Sequence, residues 1–90
     1  MNNVDWIDVL TKIFVDKKVV VESINSKNPK ENERVIGIVK AFHSIGPGVS
    51  IELVGDICQC IFVPKLETLT GNSVEGDASI TGMKRSIRLA

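Results

Sequence analysis

Arg34-Val35-Ile36-Gly37-Ile38-Val39-Lys40-Ala41-Phe42 is the stretch on which the fold turns. Its residues are mostly β-branched or apolar, the composition that suits a pleated, half-buried strand. A glycine stands in the middle, where a plain strand gains nothing from it. An interior strand glycine marks a sharp bend or bulge, the device that curls a sheet into a barrel. Before this stretch lies another β-branched run, Val19 to Ile24 (VVVESI), and between the two a polar loop, residues 25–33, around Asn28-Pro29. After it, His43 to Gly48 (HSIGPG) reads as a turn, and Val49, Ile51 and Leu53 alternate with Ser50 and Glu52 as a third strand. Gly55-Asp56 suits a tight hairpin into Ile57–Val63, an apolar run expected of a strand covered on both faces. Pro64 ends that run, and Leu66 to Leu69 read as a short fifth strand. Gly71 to Ala78 (GNSVEGDA) is turn-rich, and Ser79 to Leu89 closes the chain.

The N-terminal segment has a different period. Trp6, Ile7, Leu10, Ile13 and Phe14 recur at three- and four-residue spacing, one apolar stripe of a helix over 3–16. Asn2 or Asn3 suits its start, Asp5 and Asp8 its positive end, and Lys12, Lys17 and Lys18 its negative end. The stripe is expected to cap one open end of the barrel.

Ninety residues make a single domain, divided into helix 3–16, barrel about 18–70 and a C-terminal extension 71–90. An apolar fraction of 43% excludes disorder, and four aromatics, Trp6, Phe14, Phe42 and Phe62, leave the core to Val, Ile and Leu. Eleven basic and eleven acidic residues cancel, yet no acid follows Asp77 while Lys84, Arg85 and Arg88 do. No apolar run reaches the ~18–20 residues of a membrane span, and Asp5 and Asp8 stand where a signal peptide carries lysines. The expectation is a cytoplasmic protein without a membrane partner. Cys58 and Cys60 are two apart; on a strand this puts their Cα atoms ~6.5–7 Å apart, at the limit of disulfide reach. They read as reduced packing residues. One histidine and two cysteines make no tetrahedral metal site, and no nucleophile–base motif is visible. Neither metal, cofactor nor catalysis is expected.

Gly37-Ile38-Val39-Lys40-Ala41-Phe42-His43 resembles the first signature of the Sm/LSm family, and Ile61-Phe62-Val63-Pro64-Lys65-Leu66 resembles the second. A rival register places the second at Ile80-Thr81-Gly82-Met83. The resemblance covers residues 4–70 and implies a mostly β fold, an N-terminal helix followed by a five-stranded, strongly bent antiparallel barrel. It also implies a homo-oligomeric ring of five to seven subunits, joined through the edges that an open barrel exposes. Histidine replaces the family's usual aspartate at 43, and Pro47 or Gly48 its uridine-pocket asparagine. Uridine preference is therefore not expected.

The implied function is non-catalytic binding of single-stranded RNA or DNA. His43 and Ser44 are placed to meet a base, since single strands are gripped by stacking on aromatic or imidazole faces. Lys65, or Lys84 and Arg85 in the rival register, together with Arg88, would meet phosphates and make binding salt-dependent. Three basic groups on one subunit bind weakly, but repeated around a ring they gain from multivalency. The alternative is a structural ring or protein-interaction adaptor of viral or mobile-element origin, favoured by the zero net charge.

Overall fold

The computed structural model describes residues 3–25, 27–55, 60–78 and 82–90, with backbone alone at 3, 4, 31 and 60. Helix α1 spans Asn3–Phe14 and turns Trp6, Leu10 and Phe14 into the core, with Ile7 and Ile13 half-buried beside them. It packs chiefly on the second and third strands. The chain turns away from the helix at Asp16, whose φ of +67° is the left-handed conformation that aspartate tolerates better than most residues. The Asp16 N–H then donates to the Val39 carbonyl at 2.8 Å, and the chain enters the first strand. Asp16→Gly should remove the left-handed strain and raise stability by about 0.5–1 kcal/mol. A lowered urea midpoint would show instead that the aspartate side chain contributes more than the strain costs.

Among the described residues six strands follow: β1 (Lys18–Asn25), β2 (Glu33–Ile45), β3 (Gly48–Leu53), β4 (Cys60–Pro64), β5 (Ser73–Ala78) and β6 (Met83–Leu89). Each pairs antiparallel with the next, and β6 returns to β1 over seven residue pairs, Val19↔Leu89 to Asn25↔Met83. The barrel is therefore closed and six-stranded, where five strands were expected. Ser73–Ala78 and Met83–Leu89, in the segment expected as an extension, are strands of the barrel wall. Leu66–Thr68, expected as a strand, is a 3-10 turn in which the Thr68 hydroxyl lies 2.7 Å from the carbonyls of both Lys65 and Glu75. The Thr68 and Leu69 N–H groups donate to the Lys65 and Leu66 carbonyls at 3.0 and 3.1 Å, so the turn satisfies its own backbone without a ladder.

Two further expectations change. The turn at 43–48 contracts to Gly46-Pro47, because β2 runs on through Ile45 and pairs it with Gly48. Gly46 has φ +52°, the positive value that two-residue hairpins require. His43 and Ser44 thus sit in a strand and not at a loop tip. The irregularity in β2 falls between Val39 and Ala41, past the glycine expected to mark it. Gly37 serves packing instead: a Cβ there would lie 3.3 Å from Leu53 Cδ1.

Inward rows supply the core: Val19 and Val21, Val39 and Phe42, Val49, Ile51 and Leu53, Phe62, Val74 and Ile87. The Phe14 and Phe42 rings meet at 6.3 Å, joining helix to barrel. The hairpin expected at Gly55-Asp56 and the reading of Cys58 fall on or beside residues 56–59, outside the described residues. No described helix is long and apolar enough to cross a membrane.

Candidate interaction interface

The six residues expected to meet nucleic acid fall into two groups. His43 and Ser44 lie on β2, in register with Ser50 and Val49 of β3. His43 Nε2 stands 3.1 Å from Glu52 Oε1, and Lys40 Nζ approaches the same carboxylate at 3.6 Å. The histidine hydrogen bond, with a smaller contribution from the lysine charge, holds the Glu52 carboxyl below its usual pKa. Ser50, between β2 and β4, is buried, and its hydroxyl has no hydrogen-bond partner among the described residues.

The second group surrounds β5 and β6. Lys65 pairs with Asp77 at 3.4 Å, and Asp77 faces Lys84 in the β5–β6 register. The two alternatives for the second signature therefore meet at one aspartate. Arg85 points inward by alternation with Ile87. It donates from Nε to Ser23 Oγ at 2.9 Å and from Nη1 to the Ile61 carbonyl at 2.6 Å, tying β6 to β1 and β4. Arg88 donates to Glu22 at 2.8 Å, and Arg34 reaches the same carboxylate oxygen at 4.0 Å. His43 and Lys65 each hold a separate acid, and no described contact joins them.

A different arrangement emerges on the outer face of β6, β1 and β2. Strand alternation puts Lys84, Ser86 and Arg88 outward on β6, Lys18, Val20, Glu22 and Ile24 on β1, and Arg34, Ile36, Ile38 and Lys40 on β2. Five basic groups share this face with one acid, although the whole chain is neutral. Among them lie aliphatic side chains open to water: Ile36 is 54% and Ile38 46% exposed, and Ile24 is comparably open. Val54, whose N–H donates to the Ile38 carbonyl at 2.8 Å, adds a fourth at 56%. Val20 also points outward yet is 5% exposed, flanked in register by Ile36 and Arg88. The acids Glu52, Glu75 and Asp77 stand on the bordering strands β3 and β5.

Lys18, Arg34, Lys40 and the exposed isoleucines were not among the residues singled out from the sequence. The available signal was the double apolar row of residues 34–40, where Val35, Gly37 and Val39 alternate with Ile36 and Ile38. Period two separates the rows but does not say which one faces water. By contrast, all four aromatic side chains are buried, none more than 5% exposed. The wall therefore has no aromatic platform for a base.

No family model matches the chain, and no curated protein or solved structure matches it either.

Proposed function

We propose that the barrel is a non-catalytic binding module that contacts another protein through the outer face of β6, β1 and β2. One observation carries this reading: exposed aliphatic side chains are interleaved with basic ones on a single face of a neutral protein. Contiguous exposed apolar surface framed by polar groups is the usual mark of a protein contact, and a like-signed border steers the approach of a complementary partner. The three strands that meet at Arg34, Glu22 and Arg88 are hydrogen-bonded into a closed wall, so the face is rigid before binding.

Nucleic acid is the second reading, favoured by the same five basic groups. Binding would then run through phosphates, without base stacking, and would be weak and strongly salt-dependent. A ring, in either case, would have to be built from faces, since the β1–β6 pairing leaves no open edge between those strands.

Selection from an unbiased displayed-peptide library, set beside titration with single-stranded uridine and mixed-sequence DNA oligomers, separates the readings. Selected peptides should bind the parent and lose at least tenfold against the double variant Ile36→Asp, Ile38→Asp, while the oligomers bind negligibly at 0.15 M salt (a Debye length of ~8 Å). Peptides that bind both proteins equally would sink the protein-contact reading. Oligomer binding lost on reversing Arg34 and Arg88 would establish the nucleic-acid one.

A further inference from the structure

We infer that the partner segment is an extended strand of alternating pattern, acid–x–aliphatic–x–aliphatic–x–acid, laid along β2. The inference rests on the protein-contact reading above and adds the chemistry of the occupant. Along β2 the outward side chains run Arg34, Ile36, Ile38, Lys40, with the two aliphatic groups inside and a cation at each end. Both cations are well exposed, their side chains 60% and 67% accessible. An extended peptide repeats its side chains every two residues, at ~6.6–6.8 Å, the same interval as the row beneath it. Its aliphatic pair would cover Ile36 and Ile38, while its two carboxylates would meet Arg34 and Lys40.

The acids already nearby leave room for this. Glu22 is shared between Arg34 and Arg88, and Glu52 between Lys40 at 3.6 Å and His43 at 3.1 Å, so neither end of the row has a carboxylate to itself. The 4.0 Å separation of Glu22 from Arg34 is long for a hydrogen bond, and that guanidinium keeps donors for a ligand. Lys18, in register with Ile38, adds a further positive charge beside the strip. A second copy of the same face is a poor occupant. Two β2 rows laid antiparallel would oppose Arg34 of one to Lys40 of the other, with Ile36 against Ile38. The order of charges therefore selects an acidic partner over self-association.

The probe is a blocked nonapeptide, Thr-Glu-Thr-Val-Thr-Ile-Thr-Glu-Thr, labelled for fluorescence anisotropy against the full chain. Its control has the same composition with the glutamates moved inside and the aliphatic residues outside. The ordered peptide should bind at least tenfold more tightly than the control, and Arg34→Glu and Lys40→Glu should each weaken it at least fivefold. Thermal melting checks that these surface variants remain folded. If Ile36→Asp abolishes binding but the control peptide and both charge reversals bind like their parents, the face stands and the acidic-strand inference falls. If none of the three substitutions matters, both fall. Sedimentation showing parent dimers that Arg34→Glu strengthens would overturn the inference in favour of a second copy. A uridine oligomer competing away the ordered peptide at equal concentration would overturn it in favour of nucleic acid.

Discussion

Leu10→Ala is expected to destabilise the domain by about 2–5 kcal/mol, the range for deleting a buried leucine and leaving part of its volume empty. Leu10 is fully buried, at the centre of the helix stripe between Trp6 and Phe14, and the helix it belongs to packs on β2 and β3. The surrounding wall is hydrogen-bonded all round, so it has little freedom to collapse into the space. That argues for the upper half of the range. A domain of this size is itself marginally stable, with roughly 5–15 kcal/mol in all, so the loss takes a large share of its stability. Urea unfolding followed by circular dichroism measures the loss. A change under about 0.5 kcal/mol would mean that the helix lies off the core.

Gly76→Ala should cost at the upper end of the roughly 1–3 kcal/mol typical of overpacking, although it adds a single methyl group. Gly76 is buried on β5, opposite Pro64 of β4, and a Cβ there would collide with the carbonyl oxygen of Val63. The obstacle is backbone, which cannot turn aside as a flexible side chain does. The β4–β5 seam would have to part, along a ladder that includes Phe62↔Ala78 and Val63↔Asp77. Gly48 of β3 is placed similarly, its would-be Cβ 2.7 Å from the Phe62 carbonyl oxygen. Strand β4 is thus held closely from both sides by neighbours without side chains. Equal unfolding midpoints for parent and Gly76→Ala would show that the seam is looser than this geometry requires.

The same glycine accounts for the difference between expectation and structure after Gly71. Gly76 and Asp77 are turn residues by propensity, so Gly71–Ala78 reads as turn-rich. Propensity describes the residue alone, whereas Gly76 is needed because another strand passes close to it. Leu66–Leu69 failed in the opposite sense, with apolar residues suggesting a strand where Thr68 closes a local turn.

The candidate interface shows the same division. That β2 has two apolar rows was legible from residues 34–40, and so was the acid-free basic segment after Asp77. Arg85 could not be separated from Lys84 and Arg88 by composition, yet its side chain turns inward to Ser23 and the Ile61 carbonyl.

The sequence by itself determined the amphipathic helix, the β-rich remainder, the first three strands to within a few residues, and the neutrality of the whole. These follow from local periodicity and composition, which need no distant partner. Only the tertiary structure decided that six strands close on themselves, which glycines face a neighbouring backbone, and which apolar row of β2 stays in water. Each of those depends on a contact between residues far apart in the chain. Closure itself is the clearest case, since β1 and β6 are joined through pairs such as Val21↔Ile87 that no local pattern records.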